Sequence, residues 1–264
     1  MKKLIVIPLI VLGSSVFSGS ASAASDWNWN LSCGTFACSQ TSSASQTSNP
    51  VGGPAVTVTG WSSAATTSGN YAASGNLSQG YIESWNGVGV QYNGEDPRSP
   101  NHAMDNRDRY ESVLLNFGAD VQLGSVGLGW VHDNDSRRSD FFVLAYTGAA
   151  SFNGNLAGKS YSDLLSLGSG WTLVGNYGGG GQGGYTLNPG TTYSSFWLIG
   201  AGAVTGTSVG VGGNSYYDYM KVAGVAGSVK PPSPPGTVSE PGSLALAGLG
   251  LVGLLGLRRG RTRT

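Results

Sequence analysis

Residues 95–140 hold nine of the thirteen carboxylates between residues 24 and 237, five arginines and both histidines of the chain. Two polar stretches dominate this segment, SPNHAMDNRDRYE (99–111) and WVHDNDSRRSD (130–140). Carboxylate and amide oxygens gathered in turns are the ligands Ca²⁺ requires. Between the two stretches lie YESVLLNF (110–117) and VQLGSVGLGW (121–130), separated only by Gly118-Ala119-Asp120. That spacing predicts two adjacent antiparallel strands joined by a short turn. The loop entering such a hairpin and the loop leaving it share one end, so Asp105 and Asn106 would face Asp133, Asn134 and Asp135. A Ca²⁺ site built on Asp105, Asp133 and Asp135 is the metal expectation. It is not an EF-hand: Arg137 stands at the fifth position, no Gly fills the sixth, and the twelfth lacks Glu. The competing reading makes the same residues turn formers and exposed ion pairs, such as Asp108 with Arg107 or Arg109, each contributing little.

Catalysis finds less support. His102 and His132 have aspartates nearby and invite a Ser-His-Asp reading, but no thiol is left for a cysteine mechanism if the two cysteines are bridged. Two carboxylates across a cleft would suit glycoside hydrolysis, yet that chemistry depends on a separation sequence does not give. No enzyme is expected, and a secreted hydrolase is the last alternative. The glycine-rich NYGGGGQGGY (176–185) lacks the G-K-[ST] of a phosphate loop and reads as a flexible loop. Cys33 and Cys38 are the only cysteines and are expected to form a disulfide closing a small loop. Among the seven tryptophans, Trp27 and Trp29 alternate with asparagines and are the first candidates for stacking on sugar rings.

The elements that must position these groups are strands. AVTVTGW (55–61) alternates, GYIESWNGVGVQY (80–92) reads as one strand or a glycine-bent hairpin, and DFFVLAYT (140–147), WTLVGNY (171–177), TTYSSFWLI (191–199) and YYDYMKVAGV (216–225) follow. SDLLSL (162–167) suggests one helical turn capped by Ser160 or Ser162, and the polar 39–54 stretch a long surface loop. About eight strands without helical periods predict an all-β fold, a jelly-roll-like β-sandwich. Residues 24–237 carry 8 basic and 13 acidic side chains, a net −5 without a basic stripe, which excludes nucleic acid as partner.

The two ends are of another kind. Lys2 and Lys3, the apolar 4–17 stretch and Ala21-Ser22-Ala23 form the pattern of a secretory signal peptide (1–23), cleaved between Ala23 and Ala24 after delivery to the Sec export machinery. An exported domain over 24–229 follows, then a stiff Pro-rich linker (230–237). Residues 243–257 are apolar or small, and Arg258, Arg259, Arg261 and Arg263 follow. A helix of that length reaches about 22 Å against a hydrocarbon core of about 30 Å, so it would be a short transmembrane helix with its arginines snorkelling on the cytoplasmic side.

Val238-Ser239-Glu240-Pro241, the glycine-punctuated apolar run and the Arg cluster together resemble the PEP-CTERM sorting signal, placed over 238–264. Ser239 stands where that pattern usually has its first Pro. The resemblance implies recognition by exosortase, a membrane-embedded transpeptidase-like enzyme of exopolysaccharide-making bacteria. It implies a transient stay in the inner membrane, then release to the cell surface or extracellular matrix. HAMDN (102–106), SVLLNF (112–117), VGLGW (126–130), FFVLAYTG (141–148) and SSFWLIGA (194–201), in that order, resemble a group of exosortase-dependent surface proteins of unassigned role. No catalytic residues come with that likeness. The expected function is structural or adhesive in a biofilm matrix; the alternative is a Ca²⁺-assisted carbohydrate-binding module of the exopolysaccharide.

Overall fold

The computed structural model describes residues 26–32, 45–48, 50, 52–63, 75–92, 95, 102–107, 109–132, 139–204 and 217–232. Its strands are β1 (Asp26–Asn30), β2 (Ser45–Ser48), β3 (Val56–Ser63), β4 (Leu77–Glu83), β5 (Gly89–Gln91), β6 (Met104–Asp105) and β7 (Glu111–His132). β8 (Ser139–Tyr146), the one-turn α1 (Tyr161–Leu164), β9 (Trp171–Gly180), β10 (Gly183–Thr186), β11 (Ser194–Ala201) and β12 (Tyr219–Val229) complete it. The all-β expectation is met, in a single 12-stranded sheet within the compact unit 24–230.

β7 organises the whole. The expected hairpin at Gly118-Ala119-Asp120 does not exist: one strand of 22 residues runs straight through it. The reason lies in its partners. On one edge β3 pairs with residues 111–117 and β12 takes over from 121 to 132. Gly118 N–H donates to Ala55 O (2.9 Å) and Asp120 O accepts from Lys230 N–H (2.8 Å), so the hand-over itself is bonded. On the other edge β11 yields to β10 in the same way. A chain paired on both sides has no freedom to turn back.

The N-terminal part of β7 belongs to the run β5-β4-β3-β7-β11-β8-β9, and its C-terminal part to β12, β1, β6 and β10. The inner faces of both halves meet in one core: Val56, Val113, Leu115, Phe117, Val143, Trp197 and Ile199 from the first, Leu123, Val126, Leu128, Met220 and Val222 from the second. Alternate residues of the first half, Leu114, Phe142, Leu144 and Leu198, point the other way into a second core. That core is covered by the 147–170 segment through Leu156, Tyr161 and Leu164. Hence FFVLAY and SFWLIGA are buried on both faces and read as near-continuous apolar runs.

α1 matches its expectation. Ser160 caps it, and Asp163 reaches back to the Ser160 N–H (2.8 Å) in a reciprocal capping box. Two loop expectations change. Ser45–Ser48 of the polar 39–54 stretch pairs with β3. NYGGGGQGGY is the end of β9 and the start of β10, with Tyr177 and Tyr185 packed on Phe141 at ring distances of 5.0 and 5.4 Å. β1, before them, pairs with β12. Cys33, Cys38, Ala23, Ala24 and the whole 238–264 signal lie outside the described residues. No helix among those described is long and apolar enough to cross a membrane.

Candidate functional site

β12 does what the absent hairpin was expected to do. Tyr219 pairs with Asp105 of β6 on one edge and with His132, the last residue of β7, on the other. Asp105 is therefore brought to the end of β7 across a single strand. Asp133 and Asp135, its expected companions, lie outside the described residues. Asp105 is buried and accepts the Arg107 N–H on Oδ1 (2.9 Å). Among the described residues no three Asp, Glu, His or Cys side chains are placed to hold a metal ion.

A buried polar junction occupies this end of the sheet. Asn106 and Asp218 bond reciprocally: Asn106 Nδ2 donates to Asp218 Oδ2 (3.0 Å) and Asp218 N–H donates to Asn106 Oδ1 (2.7 Å). The second Asp218 oxygen accepts the Asp140 N–H (2.7 Å). One carboxylate thus joins the segments entering β7, β8 and β12. Tyr110 belongs to the same region, its hydroxyl donating to Ala203 O (3.2 Å) and its pKa pushed up to about 12 by burial and by the Asp218 charge.

Glu111 is the most deeply buried carboxylate of this region. It is 1% exposed, its Oε2 accepts the Asp105 N–H at 3.3 Å, and its Oε1 has no hydrogen-bond partner among the described residues. Burial holds its carboxyl well above the usual carboxylate range, and the Asp105 and Glu95 charges raise it further. A folded-state pKa above the unfolded one makes its contribution complete below about pH 4.5 and lost as pH climbs toward the folded value. Glu111→Gln, which mimics the neutral acid, should match the wild type near pH 4 and be the more stable of the two at pH 8. Urea unfolding at both pH values checks this; a gain independent of pH would contradict it.

Glu83 and Lys221 form a second buried set. Lys221 is 1% exposed with no partner for Nζ among the described residues. Burial lowers its pKa to about 8 against the opposing Glu83 charge, while burial raises Glu83 against the Lys221 charge. Sequence reasoning missed Glu83, Glu111, Asp218 and Lys221 as a group. Their signal was a charge set inside an apolar strand pattern, as in YESVLLNF and YMKVAGV.

The expected sugar-stacking pair is corrected too. Trp29 is buried in the first core, its ring edge-on to Phe117 at 4.8 Å and its Nε1 donating to Pro54 O (2.8 Å). Trp27 is partly buried against the same core and lies over Gly53, where a Cβ would meet its ring at 2.6 Å. Alternation places both tryptophans inward and the asparagines outward. Trp85, 56% exposed at the turn between β4 and β5, is instead the exposed indole among the described residues.

Fold and site define the body as an all-β domain closed at one end by buried carboxylates. The tail defines what kind of protein carries it. Residues 237–261 match the family model of the PEP-CTERM protein-sorting motif. The chain therefore bears the sorting motif of exosortase-processed proteins, which implies exosortase as processing partner, export and membrane-associated sorting to the cell surface. No curated protein and no solved structure matches the chain.

Proposed function

We propose that this chain is a non-enzymatic structural or adhesive protein of the cell surface or extracellular matrix. The observation that carries the reading is the sorting motif at 237–261, directly behind the Pro-rich stretch that follows a compact body. In this reading the doubled sheet is a jelly-roll-like sandwich, Cys33 and Cys38 are bridged, and residues 1–23 are a cleaved signal peptide. The 243–257 helix rests only briefly in the inner membrane. A body with its own two cores, tied at one end by buried polar bonds, suits a scaffold that must stand alone outside the cell.

Mass spectrometry of the surface form, from cells with and without the sorting enzyme, tests it. The product is expected to begin near Ala24 and to end near Glu240-Pro241 only when the enzyme is present. Mature surface protein that still carries Arg258 and Arg259 would overturn the reading.

A second reading, Ca²⁺-assisted carbohydrate binding, is favoured by one observation. β12 sets Asp105 and His132 on either side of Tyr219, so one of the three expected Ca²⁺ ligands is brought to the end of β7.

A further inference from the structure

Two cavities adjoin around the 147–169 segment, where β8 ends at Tyr146, of about 450 and about 510 Å³, within the range of small-molecule sites. They share the rings of Tyr146 and Phe152. The first continues past Ser151, Tyr193 and Ser195 toward Asp120 and Lys230, and the second past Trp171 toward Asn155, Lys159 and Asp163. A ligand that fills both must be elongated.

The rings are fixed by the protein alone. Gly148 and Gly170 lie side by side against the Tyr146 ring, where added Cβ atoms would sit 2.7 and 2.6 Å from it, so both positions call for glycine. Its hydroxyl donates to Ala150 O (2.7 Å). Phe152 meets Trp171 edge-on at 5.4 Å and Phe196 at 4.8 Å. Rings already held in place lose little freedom when something binds.

The lining specifies the ligand's chemistry. Aromatic faces call for apolar C–H surface, and the hydroxyl and amide groups beside them call for many hydrogen-bonding partners on the same molecule. Charge is balanced in each cavity: Asp120 with Lys230 (3.4 Å) in the first, Asp163 with Lys159 in the second. Such a lining gives an ionic ligand no net attraction. A pyranose has one C–H face and a rim of hydroxyls, and several in a row supply the length. We propose that the paired cavities around Tyr146 and Phe152 are a binding cleft for a neutral oligosaccharide chain. The site is separate from Asp105 and Trp85 and needs no metal, and sorting of the chain can hold whether or not sugar binds.

The test is calorimetric titration and tryptophan fluorescence of the full chain in detergent with cellohexaose, mannohexaose and maltohexaose. At least one is expected to bind with a Kd at or below about 1 mM and to change the fluorescence of Trp171. Phe152→Ala should weaken binding at least about tenfold, and Ser151→Arg, exposed at the cleft edge, should do so without touching the core. Trp85→Ala should leave it intact. Absence of heat with all three sugars would overturn the proposal. So would binding that survives both cleft variants or is lost in Trp85→Ala, or a Pro-rich peptide bound in the cleft where the sugars are not.

Discussion

Trp197→Ala is expected to lower the stability of the body by about 3–5 kcal/mol, enough to unfold a marginal domain. Trp197 is fully buried on β11, between Leu115 of β7 and Ala145 of β8. Its Nε1 is shared by Val121 O (3.1 Å) and Ser194 O (3.0 Å). Val121 is where β7 leaves β3 and takes up β12, and Ser194 is where β11 breaks register. One indole thus fills the shared core and bonds to both strands where the sheet changes partners. Truncation removes the ring, leaves a cavity and strips two carbonyls of a donor. Trp197→Phe separates these effects: it keeps most of the volume and should cost about 1–2 kcal/mol for the lost N–H. Urea unfolding of residues 24–230 measures both, and equal costs for the two variants would show that bonding at the crossover dominates over packing.

How much of this was legible in the sequence depends on whether each element is determined locally. β8 and β11 were legible because FFVLAY and SSFWLI are apolar, β-branched or aromatic at nearly every position. Their burial on both faces was not, because a run of that length suits either a one-sided or a two-sided strand. Gly118-Ala119-Asp120 has the composition of a hairpin loop, and only the bonds to Ala55 and Lys230, far away in sequence, decide against it. β2 and β10 were unreadable for a related reason. SQTS and GGYT have weak strand preference and become strands by completing edges already offered by β3 and β7.

The candidate site divides in the same way. Asp105 was legible as a carboxylate that would meet the far end of β7, although the route is β12 and not a hairpin. The tryptophans of DWNWN were legible only as alternating with asparagines; that they form one face of a strand, and that this face meets the core, required β12 to be placed first. The cleft at Tyr146 had no sequence signal, since Gly148 and Gly170 are twenty-two residues apart and matter only through the ring that both of them touch.

The second large effect concerns Lys221, and its sign is opposite to that of a truncation. Moving its pKa from 10.5 to about 8 corresponds to about 3 kcal/mol against the charged folded form, as an order of magnitude. For both Lys221 and Glu83 burial is the larger cause and the partner's charge the smaller. The attraction between them therefore falls short of either desolvation cost. Near pH 7 Lys221 is charged folded and unfolded, and the penalty is complete. Above about pH 8 the folded protein releases the proton while the unfolded chain keeps it up to about 10.5, so stability should climb across that window. Lys221→Met should stabilise the body at pH 7 by about 2–3 kcal/mol and abolish the climb, because it removes a desolvation cost larger than the attraction it forfeits. Glu83→Gln should stabilise by a smaller amount for the same reason. The double variant should gain more than the sum of the two, since each single change forfeits the attraction and the pair forfeits it only once. Thermal or urea unfolding at pH 7 and pH 10 reads all four proteins. A destabilised Lys221→Met at pH 7 would mean the pair is compensated, and burial is not what sets the charge on this lysine.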